Sequence, residues 1–377
     1  MSRKTLSTCF VAMKALGVEV DWSIARGPTP SAAISPPPPK KYSPEDIAAV
    51  LKKSPLLLPE IAQRFGMTKG QALDAIEALG VAGLNVTEHD GLWGISRQSQ
   101  PAYTTGLKFE YRSRPDSTYV FGVVGDTHLC SKYAREDVLK DLYRWFAERK
   151  VDRVYHCGNW IEGEARFNMH DLSVHGMDAQ CRYLAEHYPV QPGLTTYAVT
   201  GDDHEGWYAQ REGVDIGRYA EQRFRDRNRE DWVNLGYMEA HIPLVNAQTG
   251  KSAIMAVVHP GGGSSYADSY VVQKIIESLE GGEKPAVALY GHYHKMLAGE
   301  YRNVWWLMPG CTKDQDPFAR KKRLRYVIGG AIVTLHQDEN TGAITDFVPH
   351  QRRYFNRGYY DGRWSQSGDV VLPERTP

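Results

Sequence analysis

Histidines and carboxylates recur at five points of the chain, each time directly after an apolar run. GDTHL carries Asp126 and His128, GNWIEG carries Asn159, GDDHEG carries Asp203, His204 and Glu205, VVHP carries His259, and GHYH carries His292 and His294. Side chains two apart on an extended chain share one side of it, so D-x-H and H-x-H each aim two ligand groups into one pocket. Apart from Cys157, no thiol stands at these points. Imidazole and carboxylate donors of this kind suit borderline or hard divalent ions such as Mn2+, Fe2+ or Zn2+. The neighbouring glycines let the backbone turn tightly beside such ions.

The runs that precede these residues, TYVFGVVGD, VDRVYHCGN, LTTYAVTGD, KSAIMAVVHP and PAVALYGH, read as strands. From about residue 105 they are separated by helical segments, which makes this part of the chain α/β. Ligand sites of such sheets lie beyond the carboxyl ends of the strands, so the five tips are expected to meet there.

In this order the motifs resemble the five-part signature of the calcineurin-like metallophosphoesterase superfamily, D-x-H, G-D, G-N-H-D/E, H and G-H-x-H. The resemblance covers approximately residues 117–348. It implies a four-layer fold, a β sandwich flanked by helices, with a binuclear metal centre. Carried onto this chain, one ion is held by Asp126, His128 and His294 and the other by Asp203, His259 and His292, with residue 159 between them. His204 acts on the phosphoryl group and Glu205 orients it. The expected cofactors are two divalent ions, Mn2+ first and Fe2+ or Zn2+ next, and the expected reaction is phosphoester hydrolysis by metal-activated hydroxide. The chain departs from the signature at two places: the bridging Asp is Asn159, and the Asn before the motif's His is Asp203. The two types have changed places, which keeps the carboxylate charge of the centre. Asp203 is therefore expected to take the bridging or stronger second-ion role, with Asn159 coordinating weakly or positioning water. Asp202 could serve in place of Asp203.

Around this core the chain divides into five expected parts. Residues 1–26 have no assigned role beyond a short amphipathic helix around Thr5–Leu16. Residues 27–41, GPTPSAAISPPPPKK, are too rich in proline for a helix or central strand and read as an extended linker. Residues 42–98 carry three helical segments and an Asp90-Gly91 hairpin signal, and resemble a winged helix-turn-helix. Residues 105–350 form the phosphoesterase domain, and residues 351–377 a C-terminal tail.

Composition bounds the partners. Lys plus Arg equals Asp plus Glu at 45 each, so no global basic field announces nucleic acid or an anionic membrane. A local patch exists in ARKKRLRY, where Arg320, Lys321, Lys322 and Arg323 could contact substrate phosphates. Residues 42–98 hold five basic and seven acidic residues, a net of −2, and Asp74 and Glu77 stand on the expected recognition helix. Two substrate classes stay open. DNA is favoured by the helix-turn-helix and the basic run, in the manner of the Mre11/SbcD-like nucleases of phage and bacterial type. A small molecule, nucleotide or phosphoprotein is the alternative, with the winged helix docking a protein or a second copy of the chain; a catalytically weak phosphate-binding scaffold is the third case. Five scattered cysteines with no C-x-x-C spacing, and no signal or spanning segment, lead to the expectation of a cytoplasmic protein.

Overall fold

The computed structural model describes residues 42–89, 91–95, 109–263, 265 and 267–357. The N-terminal segment, the proline-rich linker, Asp90, and the expected tail beyond residue 357 lie outside the described residues.

Residues 42–95 build a small unit. Helix α1 (Pro44–Leu51) starts with proline at its first position, and the Ser43 N–H donates to Asp46. Strand β1 (Leu56–Leu57) leads into helix α2 (Leu58–Arg64), and Gly66, at φ 62, makes the left-handed turn that follows. Helix α3 (Lys69–Val81) opens with a reciprocal pair, Gln71 N–H to the Thr68 hydroxyl at 3.2 Å and Thr68 N–H to the Gln71 side chain at 2.9 Å. Strands β2 (Val86–His89) and β3 (Leu92–Ile95) form a hairpin, and β1 adds to it in the order β1-β3-β2. Ala72, Ile76 and Leu79 of α3 pack on Ile47, Leu51, Ile61 and Phe65, as the helical spacing requires.

The rest of the chain forms β4 (Tyr111–Arg112), β5 (Thr118–Val124), α4 (Glu136–Glu148), β6 (Arg153–His156), α5 (Met177–His187), β7 (Thr195–Thr200), α6 (Gly206–Glu212) and α7 (Ile216–Arg225). Then come β8 (Trp232–Tyr237), β9 (Glu239–Val245), β10 (Ser252–Val258), α8 (Tyr270–Ser278), β11 (Val287–Tyr290), β12 (Met296–Tyr301), β13 (Val304–Pro309), α9 (Pro317–Lys322), β14 (Ile328–Gln337) and β15 (Ile344–Tyr354). The five runs read as strands are β5, β6, β7, β10 and β11. β15 pairs with β14 as far as Tyr354, so the sheet continues past residue 350 into the segment expected to be a tail.

Two six-stranded sheets result, ordered β15-β14-β5-β6-β7-β8 and β12-β13-β11-β10-β9-β4. Tyr119, Phe121 and Val123 alternate along β5 and pack with Ile242, Leu244, Met255, Val257 and Leu289 of the second sheet. On the outer face of the first sheet, Val154, Ala198 and Ile332 meet Leu139, Leu142 and Phe146 of α4 together with residues of α5 and α7. On the outer face of the second, Ala256, Ala288 and Trp306 meet Val272 and Ile276 of α8. The layers are thus helices, sheet, sheet, helix, with sheets flanked on both sides as expected for an α/β sandwich.

The strand ends of the two sheets touch. A Cβ at Gly291 would fall 2.1 Å from the Cys157 carbonyl oxygen, so only glycine lets β11 of one sheet approach β6 of the other. Met238 turns the chain from the first sheet into the second, its N–H donating to Thr200 at 2.7 Å and its carbonyl accepting from His259 at 2.6 Å. The small unit is tied to the sandwich near α6: Asn85 N–H donates to Gly213 at 3.0 Å, Asp215 N–H donates to Gly83 at 2.6 Å, and the Tyr219 ring covers Gly83. Among the described residues no helix is long and apolar enough to cross a membrane.

Candidate metal centre

At the joined strand ends the described residues form three groups of donor atoms, each with its atoms within 4.8 Å of one another, the third being His128, Glu162 and His204. In the first, His128 Nε2 stands 3.1 Å from His294 Nε2, and Asp126 Oδ1 stands 3.4 Å from the same nitrogen. In the second, Asp203 Oδ1 is 3.3 Å from His259 Nε2 and its Oδ2 is 3.5 Å from His292 Nδ1. These are the two triads that the motif order implied. Asp203, and not its neighbour Asp202, is the carboxylate brought to His259 and His292.

Four of the rings are held by a nitrogen that faces away from the donor atoms, whereas His294 Nδ1 has no hydrogen-bond partner. His259 Nδ1 bonds the Cys157 carbonyl at 2.6 Å, His292 Nε2 bonds the Gly262 carbonyl at 2.7 Å, and His204 Nδ1 bonds the Glu162 carbonyl at 2.7 Å. A carbonyl only accepts, so the nitrogen facing it carries the proton and the other presents a lone pair to the cluster. His128 is held by a carboxylate, with Nδ1 3.0 Å from Glu162 Oε2. This outer partner fixes ring orientation and raises donor strength, as at histidine-bound metals generally.

Among the buried atoms at the centre with no hydrogen-bond partner, Asn159 Oδ1, Asp203 Oδ1, His259 Nε2 and His292 Nδ1 lie at the second triad. Buried polar atoms left so cost about 1–3 kcal/mol each. Divalent cations satisfy all of them, and the donor set of imidazole, carboxylate and amide oxygen fits such ions.

Backbone strain gathers at the same residues. Asp126, His128, Asn159, His204, His292 and His294 all have φ between 48° and 75°. Left-handed backbone costs a residue with a side chain roughly 1–2 kcal/mol, and such outliers persist where the surrounding structure over-determines them. Here the tips are held by bonds from Asp126 N–H to Gly158, His128 N–H to Asn159 and His292 N–H to the Asp126 carboxylate, at 2.9 to 3.0 Å.

The charge states of the two carboxylates suit cation binding. Burial opposes ionisation of Asp126, but His294, His259 and His128 outweigh it and hold the carboxyl down to about 2. Asp203 is likewise held well below the usual range, with His259, His204 and His292 overcoming burial. Burial, aided by neighbouring imidazoles, lowers His128 and His292 into the neutral form. Two ligand imidazoles move the other way: Asp203, Asp126 and Glu205 outweigh burial and bring His259 up to about 9, and Tyr326, Cys311 and Asp126 outweigh burial and raise His294 well above the usual range. A proton and a dication compete for the lone pairs of these two rings.

Other expected site residues fall in different places. Glu205, expected to orient His204, is buried and turns to the backbone: its Oε1 accepts from Asn159 N–H at 2.9 Å and Gly201 N–H at 2.8 Å. It pins two strand tips, burial pushes it up to about 8, and the bond to His204 comes from the Glu162 carbonyl. Glu162 itself does not line an open cleft; it is 3% exposed between His128 and Lys313. Arg320, Lys321, Lys322 and Arg323 are exposed on and just after α9, whose N-cap Asp316 is paired with Lys313. The three glycines after His259 offer carbonyls: Gly262 accepts from His292, and Gly261 from Tyr293.

Three residues of the centre carried no signal in the sequence. Lys313 sits in a polar stretch that reads as surface, yet its Nζ bonds both Glu162 oxygens and Asp316. Tyr326 ends the basic run and places its ring 4.0 Å from that of His294. Trp207, three residues past His204 in the first turn of α6, packs its ring 4.7 Å from the imidazole.

No family model matches the chain, and no curated protein matches it. Among solved structures, an archaeal phosphodiesterase is 15% identical with a TM-score of 0.31, the match covering 62% of this chain and 100% of that one. A conserved Streptococcus pneumoniae protein described as a predicted phosphoesterase is 12% identical with a TM-score of 0.29, covering 62% and 98%. The zinc complex of Vps29 from Entamoeba histolytica is 12% identical with a TM-score of 0.29, covering 61% and 99%.

Proposed function

We propose that the protein is a metal-dependent phosphoester hydrolase holding two divalent ions, Mn2+ foremost, and that it acts as a phosphodiesterase on DNA. The observation that carries this is the pair of donor triads, with His128, His259 and His292 anchored from behind, beside a histidine that neither triad uses. Ions held there supply positive charge to a phosphate and lower the pKa of water toward ~7. Asp126, His128 and His294 would hold one ion, and Asp203, His259 and His292 the other. Asn159 adds a neutral oxygen beside His259, where Asp203 brings the carboxylate charge.

His204 does the remaining chemistry. Its Nδ1 is occupied by the Glu162 carbonyl at 2.7 Å, so Nε2 is the atom that meets substrate. Nε2 lies 4.0 Å from Asp203 Oδ2, at the edge of the second triad, and the ring is part exposed. From there it can deliver a proton to a departing alkoxide or hydrogen-bond a phosphoryl oxygen as charge builds. The exposed run Arg320–Arg323 supplies cations for a polyanion.

A second reading, hydrolysis of small-molecule, nucleotide or protein phosphoesters, is supported by the small unit. Its helix α3 exposes Asp74 and Glu77, which repel a phosphate backbone and suit a protein partner or a second copy. Digestion of end-labelled single- and double-stranded DNA with Mn2+, against a His204→Ala control, separates the two. Cleavage that the control abolishes supports the nuclease; intact DNA alongside turnover of small esters moves the assignment to the second class.

A further inference from the structure

A ladder of aromatic rings leads out of the centre. The His128 and His204 rings meet at 4.4 Å, His204 and Trp207 at 4.7 Å, and Trp207 and Phe167 at 5.4 Å. Its first ring belongs to the metal triad, and its last, Phe167, is 71% exposed.

Phe167 is held in this exposed position. It lies between β6 and α5 in a segment fixed on both sides: Ala165 N–H donates to the Asn168 side chain at 2.8 Å, and Asp171 N–H donates to the Asn168 carbonyl at 2.8 Å. Farther out, Gly176 N–H donates to Glu164 at 2.7 Å, Lys132 donates to the His170 carbonyl at 2.6 Å, and the Arg211 guanidinium donates to the Glu164 carbonyl. An apolar ring held out to water by so many bonds is built to meet something. Two arginines belong to the same surface, Arg166 exposed next to Phe167 and Arg211 one turn beyond Trp207 on α6, the latter near the Glu164 carboxylate.

We propose that Trp207 and Phe167 form a stacking subsite for a nucleobase carried by the ester whose phosphate reaches His204. Rings stack on bases of any sequence, and neighbouring arginines add attraction for both the base face and the phosphate. The subsite touches His204, so the stacked base belongs to a nucleotide at the scissile bond. It therefore favours nucleotide-derived phosphodiesters over esters of small alcohols. This rests on the reading that the centre cleaves phosphodiesters.

The test uses the full chain, loaded with Mn2+, and two oligonucleotides that differ only in an abasic residue beside the scissile phosphate. The wild type should prefer the base-bearing substrate by about tenfold to a hundredfold in kcat/KM. Phe167→Ala should bring that ratio near one, and Phe167→Tyr should keep it. A wild type that does not discriminate, or a ratio unchanged in Phe167→Ala, overturns the subsite. If neither oligonucleotide is cut, the phosphodiesterase reading fails and binding decides the subsite alone. Quenching of wild-type tryptophan fluorescence by thymidine 5′-monophosphate, reduced in both Trp207→Phe and Phe167→Ala, supports it; quenching equal in all three proteins, or absent, overturns it.

Discussion

The ammonium of Lys313 lies 2.9 Å from each carboxylate oxygen of Glu162, and both side chains are sealed from water. Glu162 in turn stands 3.0 Å from His128 Nδ1, so a buried cation lies behind an imidazole of the first donor triad. Removing one member of a buried pair costs about 3–5 kcal/mol, and disturbing an outer partner of a ligand lowers metal affinity about 10–100-fold. Lys313→Met is expected to do both. Adding Glu162→Gln should recover stability without recovering affinity, read by urea denaturation and Mn2+ titration. A single variant that binds Mn2+ as the wild type does would reduce the pair to a structural role.

Asp203 and Asn159 divide the charge of the second triad unequally. Asp203 meets both His259 and His292, while Asn159 Oδ1 is buried with no partner. Asp203→Asn should weaken the more labile ion by about 10–100-fold, and adding Asn159→Asp in that background should restore part of it. Calorimetric titration with Mn2+ gives the stoichiometry and both affinities. Compensation between the two positions is wrong if adding Asn159→Asp to Asp203→Asn recovers none of the lost affinity.

Gly201 reports on the centre from beneath. A Cβ there would fall 2.4 Å from Asn159 Oδ1 and 3.0 Å from His259 Cδ2. Gly201→Ala must push both away, at a cost typical of overpacking, about 1–3 kcal/mol. We expect a folded variant, by circular dichroism, that has lost tight Mn2+ binding. Full retention of affinity would show that the two side chains move without consequence.

His156 makes stability sensitive to acid. It is wholly buried, bonded to the Thr127 hydroxyl at 3.0 Å, and burial lowers it to about 3. The unfolded chain binds a proton at about 6.5, so between the two values only the unfolded state is charged. Stability is therefore lost as pH falls from about 6.5 toward 3, by about 2 kcal/mol at pH 5. His156→Phe, in a cage of Tyr188 and Trp232, should lose about that much less than the wild type between pH 7 and pH 5. Urea denaturation with a chelator present makes the comparison, and equal losses would refute it.

The strands and their ligand-bearing tips were legible because both depend on short-range signals, whereas the grouping of the tips into triads came only from the resemblance. An apolar run followed by a ligand residue reads the same in β5 as in β11, and D-x-H places its pair without knowledge of the partner strand. The edges were not legible: β1, with two residues, shows no period, and β14 with β15 was assembled by pairings that composition does not encode. Lys313 stayed hidden for a related reason. A lysine is buried only when its counter-charges are brought from elsewhere, and Glu162 is more than a hundred residues away in sequence. Glu205 was placed at the centre by its motif, but which atoms it would hold depended on the turn between Gly201 and Gly206.

Helix α6 is seven residues long, with His204 just before its first turn and Gly213 at its end. Gly213 accepts from Asn85, and Asp215 donates to Gly83, so residues 42–95 are bonded to the far end of a short lever whose near end carries the imidazole. Coupling between two binding events is reciprocal. A partner that docks on the small unit and changes the centre's affinity for ions must have its own affinity changed by the same factor when ions bind. For any such partner, metal content becomes a variable of its binding measurements, including those in which no ester is present.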